Sequence, residues 1–71
     1  MFNIYELEAR FDARQSFYGK AKVIDHGNGF YELLSYDTIV SECKNGKVTH
    51  FGKYSATTTR HQKEFERQLS R

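Results

Sequence analysis

The chain has 71 residues, of which 38% are apolar and 28% charged, and its net charge is +2. A chain of this length forms one small domain, which we place at residues 1–71, and it buries only about 60% of the surface that its unfolded form exposes. The single cysteine, Cys43, excludes an intramolecular disulfide and a cysteine metal cluster. Because we find no signal peptide and no apolar run of about 20 residues, we expect a cytoplasmic protein without membrane contact.

Alternating apolar and polar residues predict strands in the first half of the chain. The segment YELEARFD alternates without a break and predicts a strand at about residues 3–12, although its residue types also suit a helix. Aromatic and β-branched residues predict further strands at 17–25 and 30–43, separated by a turn at His26–Gly29. Because the alternation slips near Ser35–Asp37, we expect the long strand to be bent or bulged there.

The Asn45-Gly46 pair between two β-like segments predicts a type I′ hairpin loop. A loop of two residues fixes the register of the flanking strands. The predicted pairs are Lys44 with Lys47, Cys43 with Val48, and Val40 with Phe51. The strand after the loop then covers about residues 47–53.

A helical pattern at about residues 57–70 follows the last strand. The side chains that recur on its inner face are Thr58, His61, Phe65 and Leu69. This apolar stripe is thin, so the helix depends on packing for its stability. The candidate N-cap residues are Ser55, Thr57 and Thr58, and the sequence leaves the choice open.

Together these elements predict an α+β fold. We expect a four-stranded, mostly antiparallel meander followed by one C-terminal helix packed on the sheet, in the order ββββα. An exposed strand edge on so small a sheet could pair two chains, so both a monomer and a homodimer stay open.

Candidate catalytic residues form no recognised motif. The histidines, His26, His50 and His61, lie on different predicted elements, and no two stand at a zinc-ligand spacing. A serine–histidine–aspartate set can be drawn from Ser55, His61 and Asp37, but no nucleophile-elbow motif accompanies it. We therefore predict a non-enzymatic protein that holds neither a metal ion nor a cofactor.

Charge is distributed unevenly along the chain. Residues 1–43 carry a net charge of −3, whereas residues 44–71 carry +5. Such asymmetry indicates a surface for phosphates or for an acidic partner, unless the two halves neutralise each other across the fold. The candidate partner-binding residues are Lys44, Lys47, Lys53, Arg60, His61, Lys63 and Arg67. Nucleic acid is the alternative partner, because tyrosines could stack on bases beside these cations, although no RNA-recognition motif is present.

Three segments carry a resemblance to known proteins: SYDTIVSE, the NGK of the hairpin loop, and YSATTTRHQKEF. They resemble small phage, prophage and mobile-element proteins of Gram-positive bacteria, which form a domain family of unknown function. LEARFDARQSFYGKA fits the same pattern, so the resemblance covers nearly the whole chain. The most specific element, S-x-T-T-x-R-H-x-x-E-F, runs from Ser55 to Phe65. The resemblance transfers no catalytic residue. It implies a phage or mobile-element protein that binds a protein of the host cell, for instance as an inhibitor of a defence or transcription component.

Overall fold

The computed structural model describes residues 3–7, 20–52 and 54–70. The strands are β1 (Asn3–Glu6), β2 (Ala21–Asp25), β3 (Phe30–Ser35), β4 (Thr38–Lys44) and β5 (Lys47–His50), and the helix α1 covers Ala56–Leu69. An antiparallel sheet followed by one C-terminal helix confirms the predicted α+β class. The predicted number of strands is wrong, because the described part of the chain forms five rather than four.

The extra strand arises where the sequence predicts one bent strand at 30–43. A two-residue turn of Tyr36 and Asp37 divides this segment into β3 and β4, with Ser35 opposite Thr38. Tyr36 adopts a φ of 55°, which a bulky side chain rarely does, so its residue type gave no turn signal. The slip in alternation therefore marks a hairpin, not a bend.

A β-bulge does occur, but a few residues further on. Leu33 pairs with Ser41 and Leu34 pairs with Ile39, which leaves Val40 as the extra residue of β4. The carbonyl of this bulge residue also accepts a hydrogen bond from a helix side chain, as described below.

The sheet is a meander in which each strand pairs antiparallel with the next, in the order β1-β2-β3-β4-β5. The β2–β3 connection at His26–Gly29 is the predicted turn, with three consecutive positive φ angles at Gly27, Asn28 and Gly29. The predicted type I′ loop is also confirmed, since φ is 53° at Asn45 and 86° at Gly46.

The hairpin register agrees with the prediction. Lys44 pairs with Lys47 and Cys43 pairs with Val48. The third predicted pair lies just past the end of β5, where the Phe51 N–H donates to the Val40 carbonyl at 2.9 Å.

Strand ends differ from the predicted ones. The strand predicted at 3–12 is present as β1, and its continuation from residue 8 lies outside the described residues. The strand predicted at 17–25 begins at Ala21, after Lys20 in a turn, and residues 17–19 are likewise not described. The strand predicted at 47–53 ends at His50, because the chain turns toward the helix at Gly52, where φ is 65°.

The core lies between the sheet and α1. Its buried apolar side chains are Leu7, Ala21, Val23, Leu33, Val40, Cys43 and Phe65, and Tyr31, Val48 and Leu69 pack against them. Among the described residues, Phe65 is the largest fully buried side chain, and it comes from the helix. The predicted inner face is confirmed, because Thr58, His61 and Phe65 are buried and Leu69 contacts the core.

Ser55 is the N-cap of α1. Its backbone is extended, with φ −62° and ψ 165°, and its Oγ accepts a hydrogen bond from the Thr58 N–H at 3.4 Å. This geometry decides between the three candidate caps. No helix within the described ranges is long and apolar enough to cross a membrane.

Candidate functional site

A buried hydroxyl–imidazole cluster joins the start of α1 to the end of β3. Ser35 occupies the last position of β3 and faces inward, because it alternates with the buried Leu33. Its Oγ lies 3.1 Å from Thr58 Oγ1 and 2.9 Å from His61 Nδ1. Exposure is 2% for Ser35, 5% for Thr58 and 0% for His61. The ring of Tyr36 is tilted against the imidazole at a centroid distance of 6.0 Å. The cluster is therefore part of the protein interior.

A second chain of hydrogen bonds connects β4, β5 and α1. Ser41 Oγ lies 2.6 Å from His50 Nδ1, and His50 Nε2 lies 2.8 Å from Glu66 Oε1. This order is that of a serine–histidine–carboxylate triad. The accessibility is reversed, however, because Ser41 is fully buried while Glu66 is exposed. The Ser41 hydroxyl faces the core and is not accessible to a substrate. These hydrogen bonds therefore connect β5 to the helix.

The serine–histidine–aspartate set drawn from the sequence is not brought together. His61 bonds with Ser35, whereas the Ser55 hydroxyl caps the helix and Asp37 lies in an exposed turn. Sequence reasoning missed the serines that do meet histidines, because the partners of Ser35 and Ser41 are 26 and 9 residues away along the chain. The available signal was a serine at an inward position of each strand, since a buried hydroxyl needs a polar partner.

Further polar side chains complete the inner face of α1. Gln62 is 6% exposed, and its Nε2 donates to the carbonyl of the bulge residue Val40 at 2.9 Å. Glu64 is 2% exposed and accepts a hydrogen bond from Gln68 Nε2 at 2.6 Å. The thin apolar stripe predicted from the sequence is thus supplemented by buried hydrogen-bonding groups.

The histidines lie on separate elements, as the sequence predicts. His26 Nε2 is 2.6 Å from Glu32 Oε1, and its ring stacks on Phe30 at a centroid distance of 4.8 Å. His50 and His61 belong to the two clusters described above. Among residues 3–7, 20–52 and 54–70, no group of three or more histidine, cysteine, aspartate or glutamate side chains is placed to hold a metal ion.

The predicted partner-binding cations occupy two separate regions. One region lies along α1 and contains Arg60, Lys63 and Arg67, of which Lys63 and Arg67 are exposed. Lys44 and Lys47 flank the β4–β5 turn, which lines a cavity of about 290 Å³ together with the last residues of the helix. Because a helix of 14 residues is about 21 Å long, the lysine pair lies far from the helix start.

Other members of the predicted set have different surroundings. Lys44 Nζ lies 5.5 Å from the centroid of the Phe30 ring and 3.7 Å from Glu42 Oε2. His61 is completely buried, which places its side chain out of reach of a partner. Lys53 lies outside the described residues.

A groove runs along the first half of α1. It has a volume of about 470 Å³, and its lining residues are Tyr54, Ala56, Thr59, Arg60 and Lys63. Tyr54 is 41% exposed, so its ring is accessible from solvent. The groove combines one aromatic ring with two cationic side chains. The sequence analysis named both cations as partner-binding residues and expected tyrosines to stack beside such cations, but it did not specify this groove.

Comparison with known proteins identifies the family of this chain. The model of the family of unknown function DUF8033 matches residues 5–71. The chain belongs to the DUF8033 family. No curated protein and no solved structure matches it.

In this DUF8033 chain, the segment from Ser55 to Phe65 has mainly structural roles. Ser55 caps the helix, Thr58 and His61 meet Ser35, and Phe65 fills the core. Arg60 is the exception, because its side chain lines the groove. The S-x-T-T-x-R-H-x-x-E-F element therefore describes how the helix starts and docks, and adds one cation to an accessible surface.

Proposed function

We propose that this DUF8033 protein is a small non-enzymatic interaction protein of phage or mobile-element origin. It binds an acidic surface of a host protein in the host cytoplasm, through the outer face of α1. We define the outer face as Arg60, Lys63 and Arg67. Inhibition of a defence or transcription component is the effect we expect from such binding.

The observation that carries this proposal is that the two faces of α1 have different surroundings. The inner face is occupied by the sheet, whereas the outer face carries cations spaced three and four residues apart. Side chains at these spacings are neighbours on the helix surface. An acidic partner would be attracted by these cations from a distance.

The interior clusters support the non-enzymatic part of the proposal. Ser35 and Ser41 each contact a histidine, and both serines are buried. A nucleophile must reach its substrate, so these hydroxyls are poorly placed for catalysis. Their bonds are better suited to docking the helix.

The test is affinity capture from nuclease-treated host lysate with matched charge variants. Lys63→Gln with Arg67→Gln removes two cations of the outer face, and Lys20→Gln with Lys47→Gln removes two exposed cations elsewhere. We expect one protein to be captured by the wild type and by the control pair, and to be lost from the outer-face pair. The purified partner should then bind directly, with an affinity that falls as salt rises. Equal capture by both double variants would refute the outer face as the binding surface.

Nucleic acid is a second candidate, favoured by the exposed ring of Tyr54 beside Arg60 and Lys63. Single-stranded nucleic acid binds to aromatic rings that are flanked by cations. A labelled oligothymidylate in low salt tests this candidate by fluorescence anisotropy. Binding that weakens steeply with salt would support it, and no change in anisotropy would exclude it.

A further inference from the structure

We propose that the groove of Tyr54, Ala56, Thr59, Arg60 and Lys63 is the anchor point of the interface and takes an acidic peptide segment of the partner. A carboxylate of that segment lies between Arg60 and Lys63, and a neighbouring apolar side chain covers the Tyr54 ring. This inference rests on the proposed function, because it names the partner chemistry of the same helix surface.

The shape of the groove follows from helix geometry. Ala56, Thr59, Arg60 and Lys63 stand at positions i, i+3, i+4 and i+7, so they share one side of α1. Alanine at the first of these positions leaves space that a longer side chain would fill. A volume of about 470 Å³ is larger than a single ion needs and accommodates a few side chains of a peptide.

The aromatic wall is held in place by the preceding turn. Gly52 has a φ of 65°, and a Cβ built on it would lie 3.8 Å from ring atoms of Tyr54. The ring therefore lies against the glycine, and it precedes the N-cap Ser55 directly. This contact on one side reduces the conformational freedom that the ring loses when a partner binds. Tyrosine and arginine are also enriched among the residues that contribute most to protein interfaces.

Electrostatics select an acidic occupant. The first turn of α1 has no acidic residue, so no side chain there offsets the positive end of the helix dipole. Arg60 and Lys63 add two formal positive charges along the same side. A carboxylate in the groove is attracted by Lys63 and by the positive end of the helix dipole, whereas a cationic segment is repelled.

The arrangement favours a peptide over a nucleic acid. A nucleic-acid strand requires cations that continue along its backbone and several rings for successive bases. Among the residues that the structure describes, the groove offers one ring, and Lys44 and Lys47 lie at the opposite end of the helix. A short acidic segment needs only one carboxylate site and one apolar contact.

The experiment uses a fluorescein-labelled peptide with one phenylalanine between two runs of glutamate, and measures its anisotropy against the full chain. We expect Tyr54→Ala and Lys63→Gln each to weaken binding about tenfold, the size of effect common at interface anchors. Tyr54→Phe retains the ring and is expected to bind like the wild type. Lys47→Gln is the matched control, because it removes the same charge beside the β4–β5 turn, at the other end of the helix, and is expected to change affinity less than about twofold. A thermal unfolding curve for each variant confirms that it is folded.

Several results would overturn the inference. Equal losses in Lys63→Gln and Lys47→Gln, with none in Tyr54→Ala, would mean that charge alone attracts the peptide. Tighter binding of oligothymidylate than of the peptide, with the same dependence on Tyr54, would assign the groove to nucleic acid. In the first case the proposed function would still stand if host-protein capture depended on Lys63 and Arg67. Loss of that dependence would refute the proposed function itself, so the two failures are distinguishable.

Discussion

Ser35→Ala is the substitution that most directly tests the interior cluster. It removes the hydroxyl that lies 3.1 Å from Thr58 Oγ1 and 2.9 Å from His61 Nδ1, at a site that is only 2% exposed. Alanine has almost the same shape as serine, so loss of hydrogen bonding dominates the effect. A buried polar group that loses its partner costs about 1–3 kcal/mol in the free energy of unfolding.

This cost corresponds to a large change in melting temperature for so small a domain. At about 4–8 °C per kcal/mol for 60–100 residues, we expect Ser35→Ala to lower Tm by roughly 5–20 °C. Thermal unfolding followed by circular dichroism measures this change. Thr38→Ala is the control, since Thr38 pairs with Ser35 across the turn but is exposed. The control is expected to change the free energy of unfolding by less than about 0.5 kcal/mol.

The same measurement shows whether the imidazole depends on the serine. In a double-mutant cycle of Ser35→Ala and His61→Phe, we expect the two losses to be non-additive by about 0.5–3 kcal/mol. A Tm for Ser35→Ala within about 2 °C of the wild type, or strict additivity in the cycle, would refute our reasoning that the cluster stabilises the helix–sheet contact.

Other substitutions test the cap, the bulge contact and the core. In urea unfolding, Ser55→Ala should lower the free energy of unfolding by about 0.5–2 kcal/mol. Thr57→Ala, which changes another candidate cap of the sequence, should lower it by less than about 0.5 kcal/mol. Equal losses in the two variants would contradict the assignment of Ser55 as the cap. Gln62→Leu should lower the free energy of unfolding by about 1 kcal/mol and Gln62→Glu by more, because a carboxylate would face the Val40 carbonyl. The opposite order in urea unfolding would contradict this contact. Phe65→Ala should cost about 3–5 kcal/mol, comparable to the whole stability of a domain this small, and leave the chain unfolded at 25 °C, whereas Phe65→Leu should still fold. Amide dispersion in NMR spectra distinguishes the two, and a folded Phe65→Ala protein would show that the core tolerates the cavity.

Local signals in the sequence predicted the parts of the fold that depend on local chemistry. Asn45-Gly46 specified its turn because both residues tolerate positive φ. The recurrence of Thr58, His61 and Phe65 specified the inner face of the helix, because the period of a helix is fixed.

The remaining parts depend on contacts between distant elements. The turn at Tyr36 uses a residue that seldom adopts positive φ, and tertiary contacts around β3 and β4 keep it there. The sequence placed His61 on the inner face of the helix and also among the candidate partner-binding residues, and its complete burial contradicts the second role. Its burial depends on Ser35, a residue 26 positions earlier, and sequence periodicity contains no information about that pairing.

The buried polar bonds explain how so thin an apolar stripe can position a helix accurately. Phe65 and Leu69 alone would allow α1 to rotate or slide on the sheet, because apolar contacts are not directional. Thr58 and His61 form hydrogen bonds with β3, Gln62 donates to β4, and Glu66 accepts from β5, so the helix is fixed at successive turns. Each of these hydrogen bonds can form only at one rotation of the helix about its axis and at one position of the helix along the sheet.

A helix fixed in this way also fixes the geometry of the groove on its outer side. Arg60 and Lys63 alternate in sequence with the residues that bond to the sheet, so their positions relative to Tyr54 are set before any partner binds. Preorganisation of this kind reduces the entropy lost on association. A domain of 71 residues offers little surface for a large interface. It therefore gains most from a few rigid side chains, and the polar interior of this protein provides that rigidity.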